Sequence, residues 1–153
     1  MVLSDLITEN LVLLGVAADT KEEALKQTSE TLYSQGYVKD TFYDALLDRE
    51  AQYPTGLSIP ACDIAIPHVT PDQVNRSGIA VAVLNKAVGF CRVDDPGEQA
   101  QVRIIFNIAL DQNGKQVEVL QKLMGFISDE SILKKMLQAK TKKEIIELVG
   151  KVE

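Results

Sequence analysis

Three observations predict an α/β fold of three layers, a mixed β-sheet with helices on both faces. Two runs, Gly78-Ile-Ala-Val-Ala-Val-Leu84 and Val102-Arg-Ile-Ile-Phe-Asn-Ile-Ala-Leu110, are nearly continuously apolar and rich in β-branched residues, the pattern of central strands covered on both sides. Helical periodicity lies before and after these runs, so both kinds of element must share one core. No internal repeat, low-complexity tract or linker interrupts the 153 residues, which therefore read as one domain over 1–153. The pattern leaves strand order open.

Taken in order, Leu11-Val-Leu-Leu14 reads as a short buried strand. Thr20 and Glu23 have the spacing of a capping box and open a helix over 21–35, whose apolar face carries Leu25, Thr28 and Leu32 and which stops at Gly36. A second helix starts after Asp40, an N-cap residue type, with Phe42, Ala45, Leu46 and Arg49 at i, i+3, i+4, i+7. Residues 53–60 contain two prolines and a glycine and read as a loop. Ile64-Ala-Ile66 is a short strand stopped by Pro67-His68. Residues 93–98 form a turn or exposed loop between the two long strands, and residues 111–114 break the chain again. Val117, Leu120, Leu123, Met124 and Ile127 then mark one helix, and Ile132, Leu133, Met136 and Leu137 the next. Thr141 and Glu144 open a last short helix with Ile145, Ile146, Leu148 and Val149 on its apolar side and Gly150 at its end.

Composition narrows the function classes. The net charge of −6 argues against general affinity for nucleic-acid phosphates. No apolar run approaches the ~20 residues that span a bilayer, and the N-terminus lacks a secretory signal, so a cytoplasmic protein without membrane insertion is expected. Cys62 and Cys91 fit a reduced compartment, as buried inert thiols or functional ones. One histidine and two distant cysteines assemble no zinc site, and no glycine-rich nucleotide fingerprint is present. Neither metal nor cofactor is expected.

The lone histidine is the chemical candidate. His68 ends a strand, follows a proline and enters Val69-Thr-Pro-Asp72, which presents its side chain at a sheet edge. Near pH 7 one imidazole nitrogen can act as a nucleophile while the other is oriented by a hydrogen bond. On position alone, His68 is either such a group or a structural or merely exposed histidine.

The wider string is more specific. Arg49-Glu50, Pro54-Thr55-Gly56 and Ile64-Ala-Ile-Pro-His68 together resemble the active-site signature of the A components (EIIA) of the fructose–mannitol class of sugar phosphotransferase systems. Arg49-Glu-Ala-Gln-Tyr-Pro-Thr-Gly56 and Gln116-Val-Glu-Val-Leu120 look most similar to galactitol-type members. The resemblance implies a phosphohistidine intermediate: His68 would take a phosphoryl group on Nε2 from the phosphocarrier HPr and pass it to the cysteine of an EIIB component serving a membrane EIIC. It also implies the fold of the mannitol-type A component. Phosphoryl transfer needs in-line positioning and countercharge, and the Arg49 fork matches phosphoryl oxygens, with a surface pairing to Asp48 or Glu50 as the alternative. Thr55 either supports the phosphoryl site or is ordinary turn chemistry. Gln116 stands where fructose and mannitol members usually have a second histidine, and either donates through its amide or is an exposed glutamine near a helix start. The rim of such a site should be poor in carboxylates. Two rival functions remain: a regulatory module whose histidine phosphorylation controls partner binding, and a non-catalytic α/β binding domain.

Overall fold

The computed structural model describes residues 2–111 and 115–151. Its five strands are β1 (Val12–Val16), β2 (Gly56–Leu57), β3 (Asp63–Ala65), β4 (Gly78–Cys91) and β5 (Gln99–Ala109). The helices are α1 (Leu3–Leu6), α2 (Lys21–Ser34), α3 (Phe42–Gln52), α4 (Lys115–Ile127), α5 (Glu130–Gln138) and α6 (Lys142–Lys151). The strands form one mixed sheet in the order β1-β4-β5-β3-β2. β4 and β5 pair antiparallel, β1 runs parallel to β4, β3 parallel to β5, and β2 antiparallel to β3. The predicted turn at 93–98 is the β4–β5 hairpin, closed by Arg92 N–H donating to the Glu98 carbonyl at 3.0 Å.

Alternate residues of β4 and β5 feed two separate cores. Ile79, Val81 and Val83 pack with Ile104, Phe106 and Ile108 against α1, α4, α5 and α6, where the Phe106 and Phe126 rings meet edge to face at 6.4 Å. Ala80, Ala82 and Leu84 point the other way, into a core with Leu25 and Leu32 of α2 and Phe42 and Leu46 of α3. Side chains alternate across a strand, so only a sheet roofed by helices on both faces buries such a run completely. The predicted three layers are present.

Helix ends follow the predicted chemistry closely. The Thr20 hydroxyl accepts from Glu23 N–H at 3.2 Å. At the other end of α2, Gly36 adopts φ 82°, with Gly36 N–H bonded to the Tyr33 carbonyl and Tyr37 N–H to that of Leu32, a left-handed Schellman stop. Three details differ from the sequence reading. α3 is preceded by Thr41, and Asp40 does not cap it; the Thr41 hydroxyl bonds Gln73 instead. β4 continues past Leu84 through exposed Asn85, Lys86 and Ala87, where its register shifts, to buried Val88 and Phe90. The expected loop at 53–60 contains β2, and Gly56 fits there because an added Cβ would stand 2.7 Å from the Cys91 carbonyl oxygen. Of the predicted break at 111–114, residues 112–114 lie outside the described residues. Among the described residues no helix is long and apolar enough to cross a membrane.

Candidate functional site

Just beyond β3 the chain stays beside β5: Ile108 N–H donates to the Pro67 carbonyl at 2.9 Å, and His68 bridges Ile108 in parallel register. Pro67 has no N–H of its own to add to this pairing, and the half-buried His68 follows it as an isolated bridge beyond the end of β3. His68 Nδ1 lies 3.0 Å from the Ile66 carbonyl oxygen. A carbonyl can only accept, so in the neutral ring Nδ1 carries the proton and Nε2 keeps its lone pair.

Gln116, in the first turn of α4, reaches the same stretch. Its amide donates to the Val69 carbonyl at 3.4 Å, one residue beyond His68. The structure thus brings α4 against the His68 segment, and Gln116 is half-buried there.

Arg49 sits in the last turn of α3. Its guanidinium carbon lies 5.0 Å from the centre of the Tyr53 ring, within cation–π range. Among the described residues it forms no ion pair with Asp48 or Glu50, and its Nε is buried without a hydrogen-bond partner. The side chain at the inward end of the α3 stripe is Glu50: Phe42, Leu46 and Glu50 are the buried residues of this helix, while Arg49 and Ala45 are half-buried beside them.

The sequence reading takes Glu50 only as half of the Arg49-Glu50 pair and misses its burial and its partner, which is Thr55. One carboxylate oxygen accepts Thr55 N–H at 2.8 Å and the other accepts the Thr55 hydroxyl at 2.8 Å. Both residues are buried, at 4% and 7% exposure. Burial pushes the Glu50 carboxyl above its ordinary pKa, opposed by the two Thr55 donors and the charge of Lys21. The Thr55 hydroxyl proton is therefore directed at Glu50. Its carbonyl accepts from Ile66 N–H at 3.3 Å, which ties Thr55 to the strand leading to His68. The signal that could have found Glu50 is the i, i+4, i+8 spacing from Phe42, with a hydroxyl five residues further on.

Carboxylates elsewhere on this stretch are engaged locally. Asp63 accepts from Gln101 N–H at 2.8 Å, and Asp72 from the Thr70 hydroxyl, the contact that chiefly lowers its pKa. Cys62 and Cys91 are half-buried free thiols, and burial raises the pKa of Cys62, which disfavours a reactive thiolate. Among the described residues no group of three or more His, Cys, Asp and Glu could hold a metal ion.

Known proteins similar to this chain come from sugar phosphotransferase systems. The mannitol-specific phosphotransferase enzyme IIA component of Geobacillus stearothermophilus is 31% identical over 94% of both chains. The galactitol-specific EIIA component of Escherichia coli K12 is 27% identical over 86% of this chain and 87% of its own. The chain also spans about a fifth (21%) of the length of the E. coli mannitol-specific EIICBA component, at 32% identity. The crystal structure of the E. coli mannitol IIA superposes with a TM-score of 0.78 at 30% identity, covering 93% of this chain and 97% of that one. The same enzyme in its complex with phosphorylated mannitol IIB superposes at 0.79, covering 95% and 99%. Residues 5–152 match the family described as phosphoenolpyruvate-dependent sugar phosphotransferase system, EIIA 2, and the chain belongs to that family.

Proposed function

We propose that this protein is a cytoplasmic phosphocarrier that takes a phosphoryl group from phospho-HPr onto His68 Nε2 and passes it to the cysteine of an EIIB component. What carries this reading is the hydrogen bond from His68 Nδ1 to the Ile66 carbonyl, which leaves Nε2 as the nucleophile. In the first step the Nε2 lone pair attacks phosphorus as the nitrogen–phosphorus bond of phospho-HPr breaks. Nδ1 keeps its proton, and the Ile66 carbonyl stabilises the positive charge the ring acquires. In the second step an EIIB thiolate attacks phosphorus, and the electron pair of the broken bond returns to Nε2. Arg49, whose Nε lacks a partner, supplies countercharge to the phosphoryl oxygens. Gln116 lines the approach from the α4 side, and Thr55 supports the site from beneath through Glu50.

The substrate of the complete transport system is a hexitol such as mannitol or galactitol, a suggestion resting on the names of the relatives. The carbohydrate would meet the membrane EIIC component and not this chain. Incubation with radiolabelled phospho-HPr, followed by a matching EIIB, tests the reading. Acid-labile label should appear on the protein, be absent from His68→Ala with the fold intact, and move on to EIIB. Label that is retained in His68→Ala would overturn the assignment, and label that never moves on would indicate a regulatory module.

A further inference from the structure

We infer that Glu50 is a positioning residue which, through Thr55 and Ile66, holds His68 in the tautomer that exposes the Nε2 lone pair. The inference deepens the phosphocarrier reading and rests on it for its functional consequence. Four contacts form one path. Glu50 receives Thr55 N–H and the Thr55 hydroxyl, each at 2.8 Å, the Thr55 carbonyl receives Ile66 N–H at 3.3 Å, and the Ile66 carbonyl meets His68 Nδ1 at 3.0 Å.

The choice of residue at position 50 follows from the donor count. Thr55 presents two donors, one on the backbone and one on the side chain, to a site only 4% exposed. A carboxylate has acceptor capacity on both oxygens, whereas a glutamine amide would turn an NH2 group toward one of the two donors. Leaving a buried donor without an acceptor is unfavourable, so the corner between α3 and β2 would shift with the neutral side chain. Arg49 belongs to the same helical turn as Glu50. The carboxylate therefore fixes both the turn that bears the proposed phosphoryl-binding guanidinium and, through β2 and β3, the peptide that orients the imidazole. Transfer is sensitive to such placement, since misalignment on the order of 1 Å can slow a reaction about 100-fold.

The pairing of β2 with β3 gives the path its stiffness. Gly56 opposes Ala65 and Leu57 opposes Ile64, so the Thr55 carbonyl and Ile66 N–H continue that ladder by one more bond. A displacement of Thr55 is transmitted along the ladder to Ile66, whose carbonyl is the acceptor for His68. Nothing else among the described residues contacts His68 Nδ1 by hydrogen bond.

His68 is the only histidine in the chain, so nitrogen-15 NMR of the imidazole reads its tautomer without an assignment problem. The unphosphorylated wild type should show the Nδ1-protonated form at a pH where the ring is neutral. Glu50→Gln should shift the signals toward a mixture of tautomers and slow labelling by phospho-HPr about tenfold, a barrier change of ~1.4 kcal/mol. Thr55→Val, which loses the hydroxyl donor but keeps the backbone one, should shift the tautomer in the same direction, and Thr55→Ser should keep the wild-type signature. Amide spectra establish that each variant is folded. If Glu50→Gln does not fold, the tautomer of Thr55→Val decides between the two outcomes. A wild-type tautomer in the folded variants overturns the inference, even where labelling is slower, because the loss would then have another origin. Failure of the wild type to accept phosphoryl from HPr would instead overturn the phosphocarrier reading and leave the tautomer result to decide the role of Glu50.

Discussion

With Nδ1 committed to the Ile66 carbonyl at 3.0 Å, the proposed transfer to His68 still needs countercharge, for which Arg49, next to Glu50 in the last turn of α3, is the candidate. Its Nε is enclosed without a partner, a situation a guanidinium tolerates when an anion arrives to accept from the fork. Arg49→Lys keeps the charge but has no nitrogen at the ε position and no fork, so labelling by phospho-HPr should fall roughly tenfold or more. Wild-type rates in the lysine variant would remove Arg49 from the mechanism. Glu50 gives a second prediction at this scale, about stability. Its folded pKa is raised by burial from an ordinary 4.5, so between those two values the folded state binds more protons than the unfolded one. Stability from this group is complete below about pH 4.5 and is lost as pH rises through the folded pKa. Urea denaturation at stepped pH should show the stability of the wild type relative to Glu50→Gln falling from pH 4.5 upward and then levelling. A difference that grows with pH would show that the carboxylate is stabilised when charged. His68 and Arg49 are visible in the sequence because a Pro-His strand end and an Arg-Glu pair are local patterns. The buried position of Glu50 within that pair is not legible there because the helical stripe can be followed through i+7 to Arg49, whereas burial follows i+4 and i+8 from Phe42 to Glu50.

At the scale of elements, the start of α4 lies against the segment that carries His68, which makes it a candidate wall of the proposed site. The chain leaves β5, and the first turn of α4 sets the Gln116 amide against the Val69 carbonyl, beside the backbone that carries His68. An amide donates without titrating. Gln116→His should keep phosphoryl transfer and add a new pH dependence, best read as the ratio of phosphorylated variant to phosphorylated wild type at each pH. The ratio should rise as pH falls through ~6.5, where the introduced imidazole becomes cationic and attracts a dianion. A pH-independent ratio would put position 116 too far from the phosphoryl group to matter. The helices themselves are legible in the sequence because their start and stop chemistry is local, as in the Thr20 cap and the Gly36 stop. β2 and the far half of β4 are not. Both depend on partners distant in sequence: Gly56 answers to the Cys91 carbonyl, and exposed Asn85 to Ala87 interrupt an apolar run that resumes at Val88 only because β5 lies opposite.

For the molecule as a whole, the two apolar runs foretell a sheet covered on both faces, but its order cannot be read from them. Order depends on which long-range pairings close, and β1 joins β4 while β3 joins β5 across most of the intervening chain. The resulting architecture has one sheet serving two cores that do not merge, one under α1, α4, α5 and α6 and one under α2 and α3. Whether these behave as two units or one depends on the sheet. β4 and β5 contribute alternate side chains to both cores, so neither face can lose its strands without dismantling the other. Phe106, fully buried in the first core, and Leu25, fully buried in the second, allow a direct test. Phe106→Ala should lower stability by about 3–5 kcal/mol and Leu25→Ala by about 2–5 kcal/mol. Because the two sites lie in separate cores, the double variant should lose the sum to within ~0.5 kcal/mol. Yet every variant that folds should unfold in a single transition by both far-ultraviolet dichroism and fluorescence of the tyrosines, four in the chain. Two separated transitions in Leu25→Ala, with the α4 side melting later, would show that the helical layers are held independently and that the shared sheet does not couple them.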